Sequence, residues 1–294
     1  MKRIYLSMVS LCLLGLCSCF DMDKYPEGEL SSVNSFTSTT EITKYLNQFY
    51  ESTLKINDKD VANSAIKEQS NSIGNPTGIA FGDLNSDNMQ SNVIDTRLAG
   101  ETTLSSAVEL TEYKHIRSLN FLINNLDNCE EIGPEMEQCI GEAYFFRALA
   151  YYQALVRYGD MPIIEKVLSD DAEELKALAV RAPRNEVARF ILKDLDTAIS
   201  RLQDQGYMNN QRINKQTAQL LKSRVALFEA TFERYHQGTG RVPGDESWPG
   251  KNMSYNQGKT FDIAGEIDFF LTEAMSSAKA VADHCTLTEN SHQM

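Results

Sequence analysis

Few residues in this chain are spaced for covalent chemistry, and the clearest stand near its start, at Leu16-Cys17-Ser18-Cys19. Lys2 and Arg3 give a positive opening, and Ile4 to Cys17 is a short apolar run, the pattern of an export leader. With Leu16 three residues before the acceptor and small Ser18 one before it, Cys19 is the cysteine that takes a diacylglycerol thioether and becomes the new N-terminus. Cys17 as acceptor would put bulky Leu16 next to the cut. The leader is therefore residues 1–18, and the chain is anchored to a membrane by lipid rather than by a spanning helix.

The other reactive side chains form no machinery. Cys129, Cys139 and Cys285 show no C-x-x-C spacing, so no zinc or dithiol motif is present. Cys129 and Cys139 flank a predicted helix–helix turn; they either pair in an oxidising compartment or pack as small hydrophobes. His115, His236, His284 and His292 fall in no metal spacing. Asp83-Leu84-Asn85-Ser86-Asp87 begins like a calcium loop, yet Asn88 stands where glycine is needed and Ile94 where the bidentate glutamate belongs, so an Asx-built turn is expected there. Nucleophile elbow, phosphate loop and dinucleotide fingerprint are all missing. Paired carboxylates are plentiful but unanchored in so acidic a chain. No catalytic residue, metal ligand or cofactor is assigned, and the chain does not read as an enzyme.

Binding chemistry points to residues 237–260, a loop rich in glycine and proline that holds Trp248, the only tryptophan, and Tyr255. An exposed indole can cover the apolar C–H face of a sugar ring while polar neighbours bond its hydroxyls. The alternative is that Trp248 folds back as a plug over helix ends, because tryptophan is highly buried on average. Charge limits the ligand further. There are 41 Asp plus Glu against 28 Lys plus Arg, a net charge of −13. Loss of the leader removes Lys2 and Arg3 and no acids, leaving 26 cations and a charge of −15. Nucleic acid is excluded as a partner, and a neutral ligand is favoured over an anionic one.

The elements that must carry these residues are helices. Gly141 to Pro162, GEAYFFRALAYYQALVRYGDMP, has only Arg147 and Gln153 as strongly polar side chains between Ala143 and Val156. A helix apolar all round is buried, and this one is too short to cross a bilayer, which needs about 20 apolar residues. Gly159 and Pro162 stop it. Leu149 is expected inside the core, and Arg147 is expected to pair with a carboxylate from a neighbouring helix, since buried charges are normally paired. Around it, Ser38 to Glu41 is a capping box opening a helix. Glu112 to Leu126 is a second helix, and Gly133-Pro134 makes the turn into the central one. Pro183-Arg184 opens a fourth, Asn214 caps a fifth, and Ile263 to His284 forms the last. The acidic run Asp170 to Glu174 reads as a solvated face. Residues 56–103 are a long polar stretch, of a length usually tied to function. Antiparallel pairs with small residues at the crossings indicate tetratricopeptide-type units, but the spacing departs from the roughly 34-residue repeat. The fold class is thus all-α, irregular tetratricopeptide-like helix hairpins with long inserted loops.

One stretch also carries a family likeness. EAYFFRALAYYQALVRYGDMPII resembles the signature helix of the SusD/RagB-like family of outer-membrane nutrient-binding lipoproteins, through Glu142, Arg147, Ala148, Tyr151, Tyr152, Gly159, Asp160 and Pro162. Tyr113, Ile116 and Asn120 are similar to a second family motif, and RNEVARFILKDLDTAISRL to the family's next helix. The likeness takes in nearly all of this chain but only the N-terminal part of the family's fold, which implies a truncated member or a fragment. It implies residues 19–37 as a tether and 38–294 as the family's helical domain without its C-terminal part. It also implies surface export from Asp21 and Asp23 after the lipid cysteine. The implied partners are an oligosaccharide ligand (less readily a peptide) and a TonB-dependent (SusC-like) transporter in the outer membrane, over which this protein would act as lid. The competing reading is a lipid-anchored scaffold for envelope proteins with no small ligand, which has no need of an aromatic loop around Trp248.

Overall fold

A computed structural model describes residues 35–53 and 112–285. Cys19 with its leader, nearly all of the tether, the 56–103 stretch with the Asp83 turn, and His292 lie outside the described residues.

Helix α1, Thr39–Ser52, begins where the capping box places it: the Ser38 side chain accepts from the Glu41 amide. Glu41 reaches back one residue further than expected, to the Thr37 amide at 2.9 Å. Helix α2 is Glu112–Asn124, followed by a short 3-10 turn at Leu126–Asn128. Gly133, at φ 119°, precedes Pro134 at the first position of α3, Pro134–Tyr158. Glycine suits that left-handed entry, and proline's missing N–H is no loss in the first turn.

Helix α3 is the centre of the first half. It packs against α1, α2 and the later helix α5, Arg184–Arg201. Ala143, Ala148, Ala150 and Ala154 are all fully buried, as are Phe146, Tyr151 and Leu155. Each large apolar side chain so placed contributes about 1.5–3 kcal/mol. Leu149 is a correction to the sequence reading: it is half-buried and packs against the core from its edge rather than lying inside it. Gly141 shows how close the helices come. A Cβ there would lie 2.7 Å from Leu202 Cγ and 2.9 Å from the Leu202 amide nitrogen.

Helix α6, Lys215–His236, is capped by Asn214, whose side chain accepts from the Thr217 amide at 2.9 Å. It packs between α5 and the last helix, α7, Ile263–Ala282. The acidic run is more than a solvated face. Asp171 caps a short helix α4, Ala172–Leu178, by accepting from the Glu173 and Glu174 amides. The architecture is all-α, built of tetratricopeptide-like antiparallel hairpins with loops inserted between them. Among the described residues the only β pairing is one bridge, Met161 with Ala182. Cys129 and Cys139 are both buried free thiols. Burial pushes the Cys139 thiol up, against the Thr43 hydroxyl beside it.

Candidate functional site

Polar residues of the helices fasten the connectors between them. That between α5 and α6 is held by Gln138, which donates to the Ile213 carbonyl at 2.7 Å, and by Glu142, which pairs with Arg212. Two longer connectors bear on the site. The first is the arm between α3 and α5, residues 162–181, closed at its base by the Met161–Ala182 bridge (N to O 3.2 and 3.0 Å). Arg147 forms a bidentate pair with Asp194 of α5, 2.7 Å at each bond, with both side chains under 5% exposed. Its remaining terminal nitrogen donates to Asn120 Oδ1 at 3.0 Å. Asn120 in turn donates to the Ile164 carbonyl at 2.7 Å. Tyr151 both donates to that carbonyl and accepts from the Ile164 amide, at 3.0 and 2.7 Å. Tyr113 donates to the Pro162 carbonyl. Buried main-chain groups need partners, and this network supplies them to an arm that has no regular structure at that point. Arg147 therefore pairs with a helix carboxylate as expected, and through Asn120 it also sets the position of the arm.

The stapled arm leaves a pocket of about 200 Å³ against α2. Tyr113 and Ile116 of α2 face Ile164, Leu168 and Leu175 of the arm across it. Its rim is polar, with Arg117, Lys166, Ser169 and Asp170. Arg117 donates to the Leu168 carbonyl at 3.3 Å. Glu174 ties the arm's tip together, accepting from Lys166 at 2.6 Å and from Ser169. These bonds hold its carboxyl down at about 2. Sequence reasoning did not find this pocket. Tyr113 and Asn120 stood out as motif residues, but nothing in their spacing points to carbonyls more than forty positions away.

The second connector is the 237–260 loop. Asp245 organises its first turn, accepting from the Gly238 and Gly240 amides at 2.8 and 3.0 Å. Trp248 is 3% exposed. Its indole N–H donates to Asp160 Oδ2 at 2.8 Å, and its ring meets Phe261 edge-on at 5.1 Å. This is the plug arrangement, since an indole so covered offers no face to a sugar ring. The other Asp160 oxygen accepts from the Arg184 amide at the start of α5 (2.9 Å). Burial raises the Asp160 carboxyl, opposed by the indole and by Arg184. Arg184 itself makes a buried bidentate pair with Glu229 of α6, at 2.8 Å for each bond, and lies 3.3 Å over the Phe232 ring. Tyr255 sits half-buried on the 3-10 turn Ser254–Asn256. The loop does not bring it onto an open tryptophan face. Among the described residues no group of His, Cys, Asp or Glu is arranged to hold a metal, and no helix is long and apolar enough to cross a membrane.

The chain is thus an array of helix hairpins whose polar residues fasten the connectors between them. The family model described as starch-binding and associating with the outer membrane, a SusD-like family, matches residues 22–227. The chain belongs to that family. It is 26% identical over 236 residues to the SusD-like protein P2 of Formosa agariphila, an alignment that takes in 80% of this chain and 45% of that protein. Among solved structures, it is similar to a SusD homologue from Bacteroides thetaiotaomicron, with a TM-score of 0.50 and 16% identity over 86% of this chain and 42% of that one. A SusD-like protein from Bacteroides fragilis is 24% identical, with a TM-score of 0.49 over 71% of this chain and 39% of that one. The chain thus spans less than half the length of these relatives.

Proposed function

We propose that this chain is a lipid-anchored, surface-facing outer-membrane protein that binds a neutral oligosaccharide and hands it to a TonB-dependent transporter. The observation that carries the reading is the family match over residues 22–227, whose description joins starch binding to the outer membrane. Two features of the chain agree with it. The Leu16-Cys17-Ser18-Cys19 run supplies the anchor. The connectors are stapled to a helical frame, which is how a scaffold presents loops that vary with ligand. The aromatic loop no longer separates this reading from a ligand-free scaffold, because Trp248 is buried.

Two experiments test it. Affinity electrophoresis and calorimetry on a panel of neutral glycans should give binding that changes little between low and high salt, since a neutral ligand releases no counterions. Labelled palmitate should enter the wild-type chain in cells and not the Cys19→Ala variant. Equal labelling of both would remove the anchor from the reading, and binding confined to polyanionic glycans would remove the neutral ligand.

A further inference from the structure

We infer that the pocket between α2 and the arm is a subsite for one pyranose ring of a neutral glycan, with Arg117 and Asp170 bonding its hydroxyls. This rests on the glycan-binding reading above and adds the place and the contacts. Size sets the first limit. A pocket of about 200 Å³ is below the roughly 300–1,000 Å³ of a site for a whole drug-sized ligand. It takes one ring, not a chain of them.

The lining sets the second limit. Its wall is apolar, with Ile164 and Leu168 over the buried Ile116, and Tyr113 stands at one side. Such a wall suits the C–H face of a sugar. Leu175 belongs to α4, a helix with no buried residue, and is 39% exposed while lining the pocket. Held at the mouth, Leu175 adds an apolar edge that the C–H face of a ring entering the pocket would meet.

The rim sets the third. Arg117 spends one nitrogen on a long bond to a carbonyl, and its other N–H groups have no protein partner among the described residues. Asp170 makes no hydrogen bond or ion pair within the described residues and lines the same pocket. Together they offer free donors and a free double acceptor, the pair that neighbouring sugar hydroxyls need. Lys166 is already neutralised by Glu174. The rim therefore carries two cations and two anions and has no net charge to recruit an ionic ligand. An apolar side chain of a partner protein would fill the interior but leave Arg117 and Asp170 unused.

The test uses the full chain and maltoheptaose, cellohexaose, xylohexaose and mannohexaose as probes, read by calorimetry. Leu175→Trp closes the mouth from a helix that the core does not depend on, so folding, checked by circular dichroism and thermal melting, stays intact. It should abolish binding of whichever probe the wild type takes. Asp170→Asn and Arg117→Met should each weaken it by about ten- to a hundredfold, the worth of a hydrogen bond to a charged group. If the wild type binds a probe and the folded Leu175→Trp and Asp170→Asn variants bind it as tightly, the pocket is not the subsite, though the glycan reading stands. If the wild type binds none of the probes, the glycan reading fails and the subsite with it.

Discussion

Glu233 of α6 offers the sharpest test of how the second half of the bundle is held. It is 1% exposed, and its Oε2 atom has no hydrogen-bond partner among the described residues. Burial raises its carboxyl, the charges of Glu229 and Glu266 raise it further, and Arg184 and Arg189 pull it down; it ends at about 8 against an ordinary 4.5. Both arginines are already engaged, Arg184 with Glu229 and Arg189 with Glu266. The folded protein thus keeps the Glu233 proton where the unfolded chain has lost it. Stability falls as pH rises from the unfolded value towards the folded one and levels off above it. At about 1.4 kcal/mol per unit, the loss is about 3 kcal/mol by pH 7 and about 4 kcal/mol by pH 8, levelling off at about 5 kcal/mol above it, from the interval between 4.5 and about 8. Glu233→Gln keeps the shape and cannot ionise. Urea unfolding of both proteins between pH 5 and pH 8.5 should give similar stabilities at the acid end and a gap in favour of the variant that widens with pH. Parallel curves would show that Glu233 is ionised and satisfied in the folded state, and the reasoning about its burial would be wrong.

Three further outcomes follow from the frame. Arg147→Ala should cost about 3–5 kcal/mol, because Asp194 is left charged in the core; the double variant Arg147→Met/Asp194→Leu should recover much of it, measured by urea unfolding. Gly141→Ala should cost about 1–3 kcal/mol, since the new Cβ meets the Leu202 amide nitrogen at 2.9 Å and backbone cannot swing aside; an unchanged melting temperature would mean that α3 and the end of α5 are further apart. Trp248→Phe strips the indole bond from Asp160 and should lower stability by about 1–3 kcal/mol while glycan affinity is retained; a variant that keeps its stability and loses binding would return Trp248 to the ligand.

The long helices are legible because they carry a periodic apolar stripe, or in α3 an unbroken apolar run, with a chemical start or stop: Ser38, Pro134, Gly159 and Asn214 all stand where the chain alone puts them. Leu149 was misjudged because α3 is apolar on nearly every side, and periodicity cannot say which face of such a helix is least covered. Partners were not legible. Arg147 announces a buried charge, but Asp194 is one of many acids and lies 47 residues away.

The arm was missed for a different reason. Its fixed points are carbonyl and amide groups of Pro162 and Ile164, which any residue type would supply. Its tip is a run of acids that hides both a helix cap and a free carboxylate. Trp248 and Asp160 were each visible, one as a loop aromatic and one as part of a helix exit, and the bond between them turns both readings into a single structural one. The same holds for the family likeness. Tyr151, Asp160, Tyr113 and Asn120 spend polar atoms on fastening connectors to helices, and Arg147 spends its own on Asp194 and Asn120 of the neighbouring helices. A motif made of such residues reports the frame and says nothing of the ligand. Ligand choice must then fall to side chains outside that motif, and in the subsite we propose those are Arg117 and Asp170.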